Sequence, residues 1–194
     1  MSDNATLPLH VMVDIETAGT APDAVILSIG AVVFGRDGLY PSKEFFELLH
    51  VGAQLASGRS VDPQTLALWQ TADTATRERA FSGITDPTSQ LMRFSEWFRA
   101  TGAVWIWANG ASVYFSILSN ALRTSAVLQP WDFRHEMDAR SLHRLTGIKP
   151  SFAGCNQHDA LADAIAQAAA VHEALHALNA WDRFDTMESA NAPV

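Results

Sequence analysis

Short apolar runs separated by turn residues open the chain. They predict strands at residues 9–16, 25–34 and 43–51, and the second run is apolar on both alternating faces, as expected of a central strand. The segments 17–23 and 35–38 contain Gly and Asp and predict turns. Because short turns connect antiparallel neighbours, the sequence predicts an antiparallel meander of three strands.

Helical periodicity replaces this pattern after residue 60. Asp62 and Asp86 are each followed by Pro, which is a typical helix start. We expect helices that begin at Asp62 and that span 85–100, 111–122, 141–145 and 159–181, with a short buried strand at 104–108. Strands followed by an alternation of strand and helices are typical of a mixed α/β fold, and the 194 residues suit one domain, 1–194.

Two carboxylates end the first strand. Asp14 and Glu16 follow the mostly apolar run from Leu9 to Val13, although acids are depleted in strands and costly to bury unpaired. Alternation places both on one face, one pleat apart. Two like charges this close need a cation between them, or one must take up a proton, and hard oxygen ligands suit Mg²⁺ or Mn²⁺. The alternative is an acidic strand end that faces water.

A second candidate segment lies at the start of the last helix. His158 stands at or just before the predicted helix start, where it can point into a cleft, and Asp163 lies one turn inside among Ala and Leu. In one interpretation Asp163 faces a site rather than open water. In the other, Asp163 is solvated and His158 belongs to a simple helix cap. This pattern by itself leaves both interpretations open.

Composition narrows the function classes. Hydrophobic residues make up 48% of the chain and the formal charge is −8, so we expect a folded protein without a broad basic surface that coats nucleic acid. An enzyme that holds metal ions with carboxylates is compatible with this charge. No apolar run approaches the roughly 20 residues that span a bilayer, no signal peptide is evident, and the single Cys155 excludes an intrachain disulfide. We therefore expect a cytoplasmic protein without a membrane partner.

Four segments taken in order are more specific than any one of them. DIET on the first strand, LSIGAVVF on the second, ANGAS at a strand-to-helix turn and HDALADAIAQA on the last helix resemble the DEDD superfamily of 3′–5′ exonucleases. The histidine of the last segment is similar to that of the subtype whose general base is His. The closest resemblance is to the branch around exodeoxyribonuclease VIII and ribonuclease T-like proteins, and it covers residues 9–180.

The resemblance implies a ribonuclease H-like α/β fold and an enzyme that releases nucleoside monophosphates from the 3′ ends of single-stranded DNA or RNA. It implies that Asp14, Glu16 and Asp163 hold Mg²⁺ or Mn²⁺, that a second ion assists the leaving 3′ oxygen, and that His158 takes the proton of the attacking water. It also places Thr17 close to the terminal nucleotide. Relatives are often dimers or higher, which implies a homo-oligomer.

One position departs from the family pattern. The family places a second Asp in the helix after the ANGA turn, and Tyr114 stands there in ANGASVYFSIL. A phenol is neutral at pH 7, bulkier than a carboxylate and a poor Mg²⁺ ligand, so the second ion should be weakened or lost. Tyr114 thus marks the substrate-binding position of the missing acid.

Three interpretations of this change follow. The chain is an impaired or inactive homologue that still binds nucleic acid or nucleotide, or an active exonuclease in which another acid compensates, or an engineered form of an active enzyme. The candidates for a compensating acid are Asp132, Asp138 and Asp159.

Aromatic and basic residues are weaker candidates for nucleic-acid contacts. Trp105 and Trp107 alternate on a strand and favour core packing over base stacking, whereas Trp131 and Phe133 lie in a loop and are better placed to stack. A group of basic residues either contacts phosphates or forms a solvated face. This group comprises Arg134, Arg140, Arg144 and Lys149.

Overall fold

A computed structural model describes residues 8–153 and 158–184. Its strands are β1 (Leu9–Thr17), β2 (Ile26–Gly35), β3 (Gly38–Leu48), β4 (Ala103–Ala108) and β5 (Glu136–Asp138). Its helices are α1 (Val51–Ala56), α2 (Pro63–Thr71), α3 (Thr74–Ala80), α4 (Pro87–Thr101), α5 (Ala111–Thr124), α6 (Ala139–Thr146) and α7 (Ala160–Ala177). A 3₁₀ turn spans Phe133–His135.

The five strands form one mixed sheet in the order β3-β2-β1-β4-β5. β1, β2 and β3 pair antiparallel, which confirms the predicted meander. β4 and β5 add to the other side of β1 as parallel strands. The carboxyl ends of β1, β4 and β5 therefore lie at one edge of the sheet, which is where ligands bind in sheets of this kind.

The third strand and the elements after it differ from the prediction. β3 begins at Gly38 and ends at Leu48, so Val51 belongs to α1 and the predicted end at Val51 was wrong. Pro41 obscured the start of the strand, yet it is tolerated because β3 is an edge strand and the pairing with β2 shifts register between Val32 and Val33. α1, α3 and β5 were not predicted.

The sheet buries a core on each face. Odd-numbered residues of β1, such as Val11 and Val13, pack in a cluster with Phe94 of α4 and Ile117 of α5. Even-numbered residues face the other way, and Met12 packs in the cluster that contains the alanine-rich face of α7. Alternation along β1 thus assigns one side of the strand to α4 and α5 and the other side to α7.

The tryptophans of β4 and of the loop after α5 lie in these cores. Trp105 and Trp107 are buried in the α7 cluster, as expected. Trp131 is also buried, beside Phe94 and Phe98, and its indole nitrogen donates to Glu136 at 2.8 Å, so it is not free to stack on a base. Phe133 is exposed.

The last helix is shorter than predicted. α7 ends at Ala177 and not at residue 181, because Asn179 adopts a left-handed φ of 48° and a separate helical turn follows at 181–184. Cys155 lies outside the described residues. Within the described ranges, no helix has the length and apolarity needed to cross a membrane.

Candidate active site

The acids of β1 lie where this strand reaches the edge of the sheet. Asp14 pairs with Gly30 of β2, and its side chain is only 3% exposed. The Gln167 side-chain amide on α7 donates to Asp14 Oδ1 at 2.9 Å. Asp14 is therefore oriented by a neutral partner from the opposite layer rather than neutralised by a salt bridge.

Gly30 brings the start of α7 to these acids. A methyl group at Gly30 would lie 2.1 Å from the carbonyl carbon of Ala160 and 2.2 Å from the nitrogen of Leu161. Only a residue without a side chain allows this approach of helix backbone to strand backbone. Asp163, one turn into α7, is thereby placed over the end of β1.

Three carboxylates converge at this point. Oxygens of Asp14, Glu16 and Asp163 lie within 4.8 Å of one another, and among the described residues they form the acidic cluster able to hold a metal ion. An all-oxygen donor set at this spacing fits a hard divalent cation such as Mg²⁺ or Mn²⁺, which binds carboxylates at about 2.1 Å. The residues present therefore fit the ion that the sequence implied.

The electrostatics of the cluster also favour a bound cation. Burial, and then the charge of Asp163, raise the pKa of Asp14, although the Gln167 hydrogen bond opposes this shift. Burial and the charges of Asp14 and Asp163 raise the pKa of Glu16. Burial likewise raises the pKa of Asp163. Three acids that resist ionisation together would ionise readily beside a divalent ion.

His158 stands directly before α7, as the sequence predicted. Its φ of 64° is left-handed, a conformation in which His is enriched, and its ring nitrogen Nδ1 lies 3.9 Å from Glu16 Oε1. The side chain is 53% exposed, so it borders the cluster and the solvent at once. This is a suitable position for a group that exchanges a proton between a bound water and bulk solvent.

Trp69 of α2 connects His158 to the end of β1. The indole nitrogen of Trp69 donates to the Thr17 carbonyl at 2.9 Å, and its ring lies 5.3 Å from the His158 ring. The Thr17 hydroxyl donates to the Gly19 carbonyl at 2.7 Å. Thr17 is thus placed beside the cluster, with its hydroxyl engaged by the turn that follows β1.

Tyr114 reaches the same cluster from α5. Its side chain interacts with Asp14 and lowers the pKa of that acid, against the larger effect of burial. Burial and the charges of Asp14 and Glu16 raise the pKa of Tyr114, whereas the charge of Arg140 lowers it. The net shift is upward, so the phenol stays neutral at the place where the family pattern has a carboxylate.

The three candidates for a compensating acid each cap a helix or turn and make further contacts. Asp132 caps the 3₁₀ turn and pairs with Arg134, and Asp138 caps α6. Asp159 caps α7 and pairs with Arg79. None of the three belongs to the acidic cluster of the described residues. The charge of Asp159 nevertheless raises the pKa of Glu16 and of Asp163, so compensation by one of these acids stays a prediction.

Arg79 links α3 to the segment that carries His158. Its guanidinium contacts Asp159 and lies over the Phe46 ring at 5.2 Å. A cavity of about 340 Å³ opens here, lined by Arg79, Asp159, His158 and Phe46 among others. His158 lines this cavity and also lies 3.9 Å from Glu16 of the cluster.

Several of these residues were not identified from the sequence. Gln167 follows Asp163 by four residues, so helical spacing could have placed both on one face of α7. Trp69 and Arg79 lie in the α2–α3 region, where no pattern of charges or spacing points to the distant His158. Their roles depend on tertiary contacts.

The family relationship follows from the sequence match. Residues 9–175 match the model of the 3′–5′ exoribonuclease Rv2179c-like domain. The chain belongs to this exoribonuclease family. The Rv2179c-like family assignment confirms the expected relationship to 3′–5′ exonucleases at this coarser level, and no curated protein sequence matches the chain.

Solved structures similar to this Rv2179c-like domain include several of exonuclease I from E. coli. The zinc-bound complex with single-stranded DNA has a TM-score of 0.67 at 14% identity over 91% of this chain and 42% of that chain. The product-bound form has a TM-score of 0.64 at 15% identity over 92% and 46%. The complex with a dA16 oligonucleotide has a TM-score of 0.63 at 15% identity over 91% and 42%. The likeness confirms the ribonuclease H-like fold, and the chain spans less than half of these relatives.

Proposed function

We propose that this chain is a metal-dependent 3′–5′ exonuclease of the histidine subtype, acting on single-stranded nucleic acid and releasing nucleoside monophosphates. The observation that carries the proposal is the convergence of Asp14, Glu16 and Asp163 within 4.8 Å beside His158. The family description favours RNA as the substrate. The oligonucleotide complexes of exonuclease I favour a single-stranded end.

The residues of the site have different roles in this reaction. Asp14, Glu16 and Asp163 would hold the divalent ion, with Gln167 orienting Asp14. When bound, the ion supplies Lewis-acid activation of a water and neutralises charge on the phosphate. His158 accepts the proton as the water oxygen bonds to the phosphorus of the terminal nucleotide. The bond to the 3′ oxygen of the preceding nucleotide breaks, this oxygen takes a proton from solvent, and the monophosphate leaves.

Tyr114 weakens this activity in our proposal. A neutral phenol beside Asp14 supplies no charge for a second ion. We therefore expect slower turnover than in a chain with Asp at this position. The alternative that the same observation favours is an inactive homologue that binds nucleic acid or nucleotide without cleaving it.

A degradation assay tests both functions. The protein is incubated with 5′-labelled single-stranded RNA or DNA of one sequence in Mg²⁺ or Mn²⁺, and shortening of the label is followed on a gel. D163N and H158A should abolish shortening, and E96Q, which changes an exposed acid on α4, should leave it intact. Y114D should accelerate it.

The outcomes separate the alternatives. Shortening from the 3′ end that requires metal and Asp163 supports the exonuclease. If Y114D cleaves the oligonucleotides and the natural chain binds them without cleaving them, the inactive homologue is supported. If neither protein shortens or binds any of the oligonucleotides, both functions are refuted.

A further inference from the structure

We propose that Arg140 binds the phosphate of the 3′-terminal nucleotide and supplies the positive charge on the side of the site where Tyr114 stands. This inference deepens the proposed function and rests on it. It assigns a substrate-binding role to Arg140, which lies outside the acidic cluster. In this proposal the guanidinium, rather than a second metal ion, supplies the positive charge.

The topology of the sheet brings Arg140 to the site. β1, β4 and β5 are parallel, so their carboxyl ends meet at one edge. Asp14 and Glu16 lie at the end of β1, Asn109 and Gly110 follow β4, and Arg140 follows β5 by two residues. The cluster of acids, the start of α5 and the start of α6 are therefore neighbours.

Arg140 is held against the start of α5. Its Nη2 donates to the Asn109 carbonyl at 2.8 Å. A methyl group at Gly110 would lie 2.9 Å from the same nitrogen, so the guanidinium lies directly over this glycine, whose φ is 117°. The carbonyl of Gly110 accepts the Tyr114 backbone N–H at 3.2 Å, so Tyr114 lies one helical turn after the glycine that Arg140 covers.

Asp138 fixes this arrangement. One carboxylate oxygen accepts the backbone N–H groups of Gly110 and Ala111, each at 3.1 Å. The other oxygen accepts the backbone and hydroxyl groups of Ser141 at the start of α6. The backbone that carries Arg140 is thus tied to the backbone that carries Tyr114 before any ligand binds.

Arg140 is available for a ligand. Among the described residues no carboxylate lies within ion-pair distance of its guanidinium. A guanidinium has five N–H donors and remains charged at all relevant pH values. The bond to Asn109 uses one donor, and the others suffice for a bidentate contact to phosphate oxygens.

The charge balance of the site favours this role. Three ionised carboxylates with one divalent ion leave a net negative charge, which would repel an anionic phosphodiester. At the Tyr114 hydroxyl, the charge of Arg140 acts against the charges of Asp14, Glu16 and Asp163. The guanidinium can therefore offset the charge that a phosphate brings to this side.

Nucleotide binding tests the proposal without requiring turnover. Affinities for 5′-AMP and for adenosine are measured by calorimetry in Mg²⁺ with the natural chain, R140Q, R140K and R144Q. Arg144 is the matched control, because it is an exposed arginine one turn further along α6. We expect R140Q to weaken 5′-AMP binding by about 10-fold or more, as for loss of a charged hydrogen bond, with adenosine binding unchanged.

The other variants sharpen the result. R140K should recover part of the lost affinity, because it restores the charge without the bidentate geometry, and R144Q should match the natural chain. Y114D should reduce the effect of R140Q, since the new carboxylate would compete for the guanidinium. Equal losses for 5′-AMP and adenosine, no loss in R140Q, or no binding of 5′-AMP to the natural chain would each overturn the proposal.

Failure of the proposed function is a separate result. If the natural chain degrades no oligonucleotide but its 5′-AMP affinity depends on Arg140, the catalytic function fails and the phosphate contact stands. If it degrades RNA and R140Q binds 5′-AMP normally, the function stands and the role of Arg140 fails. Melting curves of R140Q and R144Q verify that both variants are folded.

Discussion

The two ends of β1 bury ionisable side chains on the same face of one strand, with opposite outcomes. His10 lies near the start of β1, opposite Phe34 of β2, inside a cage of aromatic rings that includes Trp181 and Phe184. Asp14 lies four residues on, opposite Gly30, beside two further acids. His10 accepts a hydrogen bond from the Trp107 indole at 2.9 Å.

The two ends differ in what burial of an ionisable group leads to: at His10 it affects only stability, whereas at the three acids it creates a candidate binding site. His10 is accommodated by staying neutral, because burial lowers its pKa from 6.5 to about 3 and no charged partner contributes to the shift. Burial raises the pKa values of the acids at the other end, so a bound cation would favour their ionisation at pH 7. The end that stays neutral contributes to the core, and the end where three acids converge favours binding of a cation.

The largest expected effect comes from replacing Asp14, a proposed metal ligand, by a neutral amide. D14N should lower exonuclease activity on the order of 10³-fold, because a metal ion contributes several kcal/mol to the transition state. Its apo form should melt at a higher temperature than the natural chain, since a buried charge is replaced by a neutral amide. Melting curves with and without Mn²⁺ measure this.

The same experiment has a clear control. E96Q should keep both the activity and the increase of melting temperature on metal addition. A D14N protein that is still stabilised by Mn²⁺ to the same degree as the natural chain would contradict the assignment of Asp14 as a ligand.

At the opposite end, a pH titration should reveal His10. Its depressed pKa means that stability is complete above pH 6.5 and is lost as the pH falls toward 3, because the unfolded chain binds a proton that the folded chain does not. The loss should be about 1.4 kcal/mol for each pH unit below 6.5. H10L should lack this pH-dependent loss of stability. The free energy of unfolding of both proteins in urea between pH 4 and 8 measures it.

The acidic cluster titrates in both of these proteins, so the difference between them isolates His10. The raised pKa values of the acids act in the opposite sense, since their contribution is present at low pH and is lost as the pH rises. Parallel pH profiles for the two proteins would show that His10 is protonated in the folded state.

A third test acts on the spacing of α7 from the sheet. G30A should cost about 3 kcal/mol of unfolding free energy, because the added methyl overlaps backbone atoms of α7. Activity should fall further than stability, since Asp163 moves with the helix. G35A is the matched control on β2, because its methyl would meet its neighbours at 3.4 Å or more. Equal stability of the two variants in urea would contradict this account.

The smallest effect concerns the segment before α7. R79Q should lower kcat about 3- to 10-fold, since a small displacement of a reacting group is costly, and it should leave stability nearly unchanged because the ion pair is partly exposed. R79K should restore part of the rate, and R77Q on the same helix should match the natural chain. Steady-state kinetics on labelled RNA measure these rates, and an unchanged kcat in R79Q would remove Arg79 from the site.

The parts of the fold that sequence predicted are those with strong local signals. β1, β2 and α4 have clear apolar periodicity, and Asp62 and Asp86 cap their helices as expected. β5 has three residues and exists only because β4 offers a partner. No local pattern could predict it.

The residues of the candidate site likewise divide into those that local patterns identified and those that only the structure shows. Asp14, Glu16, His158 and Asp163 were found because strand alternation, helix position and family spacing each constrain them. Gln167 and Arg79 were missed because they contact the site through tertiary packing. Arg140 was one of four basic candidates that the sequence alone could not tell apart. Tyr114 was found because it breaks a pattern, although its contact with Asp14 required the structure.

Asp138 has one more consequence for how this domain recognises ligands. One carboxylate serves the first turns of two helices, so α5 and α6 cannot change their separation without breaking hydrogen bonds at both. The spacing between the helix starts that carry Tyr114 and Arg140 is therefore held by these hydrogen bonds. Selectivity between ligands of different size would arise there from exclusion by a rigid frame, and a ligand too wide for it would be rejected rather than accommodated.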